Sequence, residues 1–411
     1  MRNNIMKLYP VLLASCMGFW LAGCASPAST PASPAVGVLQ TPAGSTSGNG
    51  DARAPHEWSQ PLPEDPASFA HVVAAALRLP AARVQSVLAS AQYNPEVARL
   101  MAPASATSGR PIVRNWPAYR RRFVEPVRIR HGVTFWHEHL HTLQAAEEQY
   151  GVPAAIIVAI LGVETIYGRN TGSFPVLDAL YTLAFAFPKT ETRDRSPYFR
   201  KELAEFLALT LVQGVDPRSI YGSYAGAIGM PQFMPGSIRR YAVAANGNAL
   251  PDLQHNPADA IFSIANYLAA HGWQRGLPVF APVRVPSHAS HLAHGKLEPT
   301  LAWPDLVAAG ATLIPWDSGN SGTHGPTVQV ASLAPPPLVG QAVAAEGFRA
   351  APSWMQAPLG IVDLPHGRNG PVEYRVATPN FFAITHYNRS YFYATAVAEL
   401  AAALEAAMKK Q

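Results

Sequence analysis

The 411-residue chain has only two cysteines, Cys16 and Cys24, both within its first 24 residues. The rest of the chain therefore has no disulfide and no cysteine-based metal site, and its fold must rest on packing. Charge is also scarce. Charged residues make up 14%, against about a quarter in ordinary globular domains. The formal net charge of +5 is too small to mark a nucleic-acid binder, although a mildly basic balance suits an anionic polymer or a membrane surface. No internal repeat is visible. What is abundant is apolar side chain, at 48%, in a chain long enough for two or three packed domains. The 39 prolines and 30 glycines imply long irregular stretches.

The N-terminus reads as an address. Arg2 and Lys7 precede an uncharged, mostly apolar run from Leu8 to Gly23, the layout of a secretory signal. The run is short of the roughly 20 apolar residues that span a bilayer. It ends Leu21-Ala22-Gly23-Cys24, which resembles the lipobox of bacterial lipoproteins, where the cysteine is acylated and becomes the first residue. Leu13-Ala14-Ser15-Cys16 is a second candidate with a shorter apolar run. An ordinary cleaved signal or a single anchor helix is the alternative. Ala25, where inner-membrane retention signals carry Asp, points by the same resemblance to the outer membrane. Loss of residues 1–23 would remove Arg2 and Lys7 and lower the net charge from +5 to +3. Residues 24–55 are mostly Ala, Ser, Pro, Thr and Gly without an aromatic, a composition that cannot bury a core and suits a tether.

Helical patterning begins at Asp65-Pro66 and runs through Phe69, Val72, Val73 and Leu77. A second helix is expected around Val84, Val87 and Leu88, and an amphipathic one from Phe135 to Tyr150. The stretch from Trp116 to Phe123 is aromatic and basic. These fall in an N-terminal helical part, 56–150. Further helices with Gly- and Pro-marked breaks fill 151–277. From 278 to 380 short β-prone runs such as Thr327–Val330 and Val372–Val376 alternate with Pro and Gly, which predicts a small β-rich insertion. A last helix from Tyr391 to about Met408, within 381–411, is expected to pack on the helical part. The fold class is mainly α (α+β).

One helix stands out. Gly151-Val152-Pro153 opens it, and every residue from Val152 to Val163 is apolar or Gly before Glu164 appears, followed by Tyr167, Gly168 and Arg169. A helix apolar on all sides is buried. Ile160, Leu161 and Tyr167 lie one turn from Glu164. A carboxyl so placed is desolvated and its pKa rises, which suits it to donate a proton near neutrality. The bland alternative is an exposed last turn of a core helix, paired with Arg169. The segment from Tyr221 to Pro235 is dense in Gly and Ala with Ser223, Gln232 and aromatics between. Small residues let backbone approach a ligand, and Ser, Gln, Tyr and Phe offer hydrogen bonds and ring faces for sugars. A Gly-rich turn packing two helices is the equal alternative.

Together these stretches closely resemble the lytic murein transglycosylase B family. The matching segments are Gly151-Val152-Pro153, Gly162-Val163-Glu164-Thr165 with Tyr167-Gly168-Arg169, Leu177-Asp178-Ala179-Leu180 and the Gly222–Pro235 run. Asp259-Ala260-Ile261, Asn266-Tyr267-Leu268 and His271-Gly272-Trp273 match too, as do Trp116–Arg120, Gly132–Trp136 and Tyr387-Asn388-Arg389-Ser390 with Tyr393. The resemblance covers roughly 65–275 and 370–405. It implies a lysozyme-like core over 151–277, an exported enzyme acting on peptidoglycan glycan strands, and no cofactor. Glu164 would be the sole catalytic acid and base. It would cleave the bond between N-acetylmuramic acid and N-acetylglucosamine and leave a 1,6-anhydro end, whereas ordinary glycosidases use two carboxylates. Binding residues map to Tyr119, Ser223, Gln232, Phe233, Tyr267, Tyr387 and Tyr393. One of Lys189, Arg193 or Arg195 would supply a basic contact. The chain is expected to act as a monomer held at the outer membrane through Cys24.

His137-Glu138-His139-Leu140-His141 matches the zincin pattern HExxH, so an exported zinc metallopeptidase with Glu138 as base is the competing enzyme reading. Some relatives carry an EF-hand-like calcium loop before the Asp-Ala-Ile motif. The stretch at 244–256 starts with Ala244 and has no Glu at the twelfth position; Asn246, Asn248 and Asp252 still offer oxygens, but the charge is too low for calcium to be expected there. A peptidoglycan-binding lipoprotein without catalysis would keep the aromatic groove but not need Glu164.

Overall fold

The computed structural model describes residues 58, 60–102, 113–189, 194–247, 250–314 and 352–410. The signal, both cysteines, the tether and the Thr327–Val330 run lie outside the described residues. What is described is mostly helix, joined by short turns and three two-stranded antiparallel sheets. Among the described residues no single helix is long and apolar enough to cross a membrane.

The chain enters through Pro66–Leu77, where the Asp65 carboxylate accepts from Ser68 N–H at 2.8 Å and Pro66 takes the first turn, where its missing N–H costs nothing. Phe69, Val73 and Leu77 are buried on the i, i+4 stripe, but Val72 faces solvent, because it lies about 100° off that stripe. Ala81–Ser90, the Asn94-capped Pro95–Met101 and the Asn115-capped Trp116–Arg120 follow. The helix expected from Phe135 to Tyr150 is in fact two, Pro126–Glu138 and Leu140–Tyr150, broken at His139 (φ −119°, ψ 22°). Tertiary packing explains the break. The first piece packs on the C-terminal helix, the second on Pro257–Ala270, and both touch Ala154–Thr165.

Ala154–Thr165 is the central rod. Pro153 stands before it, and Glu147 reaches over to accept from Ala154 N–H at 2.9 Å. Pro126–Glu138, Leu140–Tyr150, Pro257–Ala270 and the C-terminal helix Tyr391–Met408 surround it. Every residue of the rod is buried except Glu164. Val176–Phe185 and Ser196–Leu211 pack as a pair on each other. One continuous core runs from Phe69 through Ile156, Phe199 and Phe206 to Tyr393.

A second, smaller core gathers Leu277, Val283, Leu306, Trp354, Ile361 and Val376. The hairpin Gly360–Pro365/Val372–Ala377 joins the two. Val362 and Leu364 enter the large core while Ile361 enters the small one, as the two-residue period of a strand dictates. Arg375 then pairs with Glu399 at 2.5 Å, and Arg120 pairs with the same carboxylate, which clamps the hairpin to Tyr391–Met408.

Candidate active site

Glu164 occupies the last turn of the rod, and the turn that ends it is strained. Ile166 (φ 53°), Tyr167 (φ 59°) and Gly168 (φ 81°) are all left-handed. For a β-branched residue that conformation costs on the order of 1–3 kcal/mol. Ile166 and Tyr167 N–H groups return to Gly162 and Leu161 carbonyls, closing the helix end. Thr165 fixes the turn from below, donating to Met230 O at 2.9 Å and accepting from Gly168 N–H at 3.0 Å. The Tyr167 ring folds back over two glycines. A Cβ at Gly132 or Gly162 would come within 2.3 or 2.6 Å of its hydroxyl. The Gly-Val-Glu-Thr…Tyr-Gly pattern is thus a device that stops a buried helix one residue after Glu164.

The carboxyl faces a cavity of about 420 Å³ lined also by Arg195, Gln232, Phe233, Tyr267 and Tyr387. Burial raises its pKa from 4.5 to about 7, against the pull of the Tyr393 hydroxyl, which donates to Oε1 at 2.6 Å. Glu164 is the only carboxyl among the described residues lining the cavity.

The aromatic wall is tied together by its own hydroxyls. Tyr267 donates to His386 O at 2.8 Å and Tyr387 to Pro231 O at 2.6 Å. Phe233, Tyr267 and Tyr387 rings lie 5.0–5.7 Å apart, and Tyr387 stacks on Tyr393 at 6.3 Å and 13°. Gln232 sits at φ 51° with Nε2 donating to Thr171 O and Gly229 O, so its amide also holds the loop. Ser223 and Tyr119 are placed differently. Ser223 is buried and accepts from Ala227 N–H. Tyr119 is buried against Phe123 and Phe392. Neither lines the cavity. Of the basic candidates, Arg195 lines the cavity with its guanidinium over Tyr198 and Phe199. Lys189 pairs with Asp194 at 3.0 Å, and Arg193 lies outside the described residues. Tyr198 and His386 also line the cavity and carried no sequence signal beyond their neighbourhood to Arg195 and Tyr387.

The sequence matches the transglycosylase SLT domain family over residues 64–402. It is 35% identical over 326 residues to membrane-bound lytic murein transglycosylase B of Escherichia coli (strain K12), covering 78% of this chain and 77% of that protein. The chain belongs to this lytic transglycosylase family. Its fold is similar to soluble lytic transglycosylase SltB1 from Pseudomonas aeruginosa (TM-score 0.65, 35% identity, 84% of this chain and 99% of that one). It is also similar to SltB3 from the same organism in complex with NAG-anhNAM-pentapeptide (TM-score 0.61, 28% identity, 82% and 78%). The protein is therefore a peptidoglycan lytic transglycosylase with a mostly helical, lysozyme-like fold.

In a lytic transglycosylase the HExxH match needs another explanation, and the structure supplies it. His137 and His141 sit on either side of the break at His139 and both are exposed. The i, i+4 relation that would converge two imidazoles on zinc is lost. No cluster of three metal-ligating side chains exists among the described residues. Among its described residues the 244–256 stretch gathers no cluster of three metal-ligating side chains either. Both oxygens of Asp259 are engaged, accepting from Ala245 N–H at 2.9 Å and Asp252 N–H at 2.7 Å. Asp252 Oδ1 accepts from Gln254 and His255 N–H. The acids that could face a cation instead brace the loop.

Proposed function

We propose that Glu164 performs both proton transfers of the transglycosylase reaction alone. Protonated, it donates to the oxygen joining N-acetylmuramic acid to N-acetylglucosamine as the C1–O bond breaks. The carboxylate then takes the proton of the muramic C6 hydroxyl as that oxygen bonds to C1. The proton leaves and returns, the ring closes as a 1,6-anhydro end, and no water is consumed. The observation that carries this reading is the solitary carboxyl in the cavity, held at a pKa of about 7. At that value the acid and base forms are both accessible at neutral pH. Two-carboxylate glycosidases hold their second group about 5–9.5 Å away, and among the described residues no other acid lines this cavity.

Around it, Tyr267, Tyr387 and Phe233 offer ring faces to the sugars, Gln232 serves the reacting unit's N-acetyl group, Ser223 holds the loop behind it through Ala227 N–H, and Arg195 supplies the basic contact. Tyr393 supports Glu164 through its hydroxyl, and Tyr119 packs behind it against Phe392. We place the enzyme in the periplasm as a monomer, lipidated at Cys24 and held to the outer membrane by the 24–55 tether. The Leu-Ala-Gly-Cys tetrad and the membrane-bound relative support that placement. Digestion of purified peptidoglycan by wild type and Glu164→Gln, followed by mass analysis, tests the mechanism. The wild type should release 1,6-anhydro muropeptides and the variant none. Reducing-end products would replace this mechanism with hydrolysis, and an active variant would remove Glu164 from it.

A further inference from the structure

A second buried carboxyl lies just behind the cavity. Glu202, on Ser196–Leu211, is 6% exposed, and its Oε2 accepts from Gly236 N–H at 2.9 Å. Gly236 is in the first turn of Pro235–Tyr241, whose preceding residue Met234 makes no side-chain capping bond. Helix first turns need outside acceptors for their N–H groups, and here another helix provides one. The approach is close. A Cβ on Gly236 would lie 2.9 Å from an Arg240 nitrogen and 3.3 Å from Glu202 Oε1.

The two helices tied by this bond carry two of the walls of the cavity. Arg195, Tyr198 and Phe199 line it from the Glu202 side, Gln232, Met234 and Ser237 from the Gly236 side. Tyr198 and Phe199 lie one turn before Glu202, and Gln232 lies four residues before Gly236. The charged and titratable groups facing Glu202 are Glu205 and Tyr198 on its own helix and Arg240 on the other. Glu205 is itself paired with Arg239 at 2.6 Å and Arg240 at 3.7 Å. Among the described residues, Glu202 has no ion pair of its own within 4 Å. Its carboxyl accepts from the Gly236 N–H and from the Tyr198 hydroxyl.

We propose that Glu202 is a positioning residue: it fixes the spacing of these two cavity walls by capping Pro235–Tyr241 from Ser196–Leu211, and so sets how tightly the enzyme holds its glycan. This rests on the cavity being the substrate site. An ionised carboxylate is a stronger acceptor than a neutral one. Burial raises Glu202 to about 7, with Gly236 N–H, Arg240 and the Tyr198 hydroxyl opposing and Glu205 reinforcing, so the cap tightens as pH rises from 6 to 8. Binding strength, rather than the chemical step, carries this dependence.

The test is the affinity of a soluble, uncross-linked glycan strand fragment, measured by calorimetry at pH 6 and pH 8 in a Glu164→Gln background that cannot consume it. The parent should bind more tightly at pH 8 than at pH 6. Adding Glu202→Gln, which keeps an acceptor and removes the charge, should abolish that difference. Adding Glu202→Leu, which removes the acceptor, should likewise abolish the pH difference and weaken binding about tenfold relative to the parent at pH 8, the scale of one lost charge-assisted bond. His271 and His386 are present in every variant, so the comparison isolates Glu202. Equal pH dependence in the Gln variant would overturn the proposal, and this arm stands even where the Leu variant fails to fold. In a wild-type Glu164 background, Glu202→Leu should raise KM with kcat within about threefold, a split that general destabilisation does not produce. A fall in kcat at constant KM would also overturn it. Absence of glycan binding in the parent refutes the cavity itself as the substrate site, a separate result that takes the proposal with it.

Discussion

Replacing Tyr393 with Phe removes one hydroxyl and leaves the ring that stacks on Tyr387 at 6.3 Å. The lost bond is the 2.6 Å donation to Glu164 Oε1, which holds the Glu164 pKa at about 7 against burial. A buried hydrogen bond to a charged acceptor contributes about 1.5–3 kcal/mol. At 1.36 kcal/mol per pKa unit, its loss raises the carboxyl by about one to two units. The proton donor disappears above its pKa, so the alkaline limb of the kcat profile should move from near pH 7 to about pH 8 or beyond. At pH 6, where Glu164 is protonated in both proteins, kcat should change by no more than a few-fold. The assay is initial-rate release of soluble muropeptides between pH 5 and pH 9.5. A limb that stays in place or moves down would refute the assignment of that limb to Glu164. A loss of several orders of magnitude at pH 6 would mean that Tyr393 acts on substrate rather than on Glu164.

Other outcomes follow from the same geometry. The folded pKa of Glu164, about 7, lies above its unfolded value of 4.5, so the stability it contributes is fully present below pH 4.5 and is lost as pH rises to 7. Glu164→Gln does not titrate, and should exceed wild type by up to about 3 kcal/mol at pH 8 with the gap closing at pH 4; equal denaturation curves at both pH values would contradict the burial argument. Gly132→Ala places a methyl 2.3 Å from the Tyr167 hydroxyl and should cost about 1–3 kcal/mol, partly recovered by adding Tyr167→Phe, whereas additive losses would show that the two positions are not coupled. Chelation with EDTA should leave both the melting temperature and the rate unchanged, since Asp259 already braces the 244–256 stretch; a loss restored by calcium would show a cation there.

Much of this was legible because it rests on short-range rules. The Asp65-Pro66 start, the C-terminal helix from Tyr391 and the apolar rod before Glu164 all follow from caps and periodicity. The strand at Val372–Ala377 shows in its β-branched pattern. What escaped depends on partners distant in sequence. The break at His139 comes from two helix faces that seek different neighbours. Several motif residues turned out to brace the frame: Trp273 Nε1 donates to Gly151 O, Asn266 to Tyr241 O, and Asp178 accepts from Gln92 N–H. No periodicity distinguishes such a brace from a binding group. Arg195 could not be chosen over Lys189 until the structure showed which one meets the cavity. Glu202 looked like any charged position on an amphipathic helix, because its partner is a backbone N–H 34 residues away.

The central claim is that burial keeps the lone cavity carboxyl protonated up to neutrality. Difference infrared spectroscopy between wild type and Glu164→Gln reads it directly, because the subtraction isolates the Glu164 C=O stretch from Glu202 and every other acid. The protonated band should persist at pH 6 and vanish with a midpoint near 7, matching the alkaline limb of kcat. A midpoint near 4.5 would show a solvated carboxylate and would contradict the account.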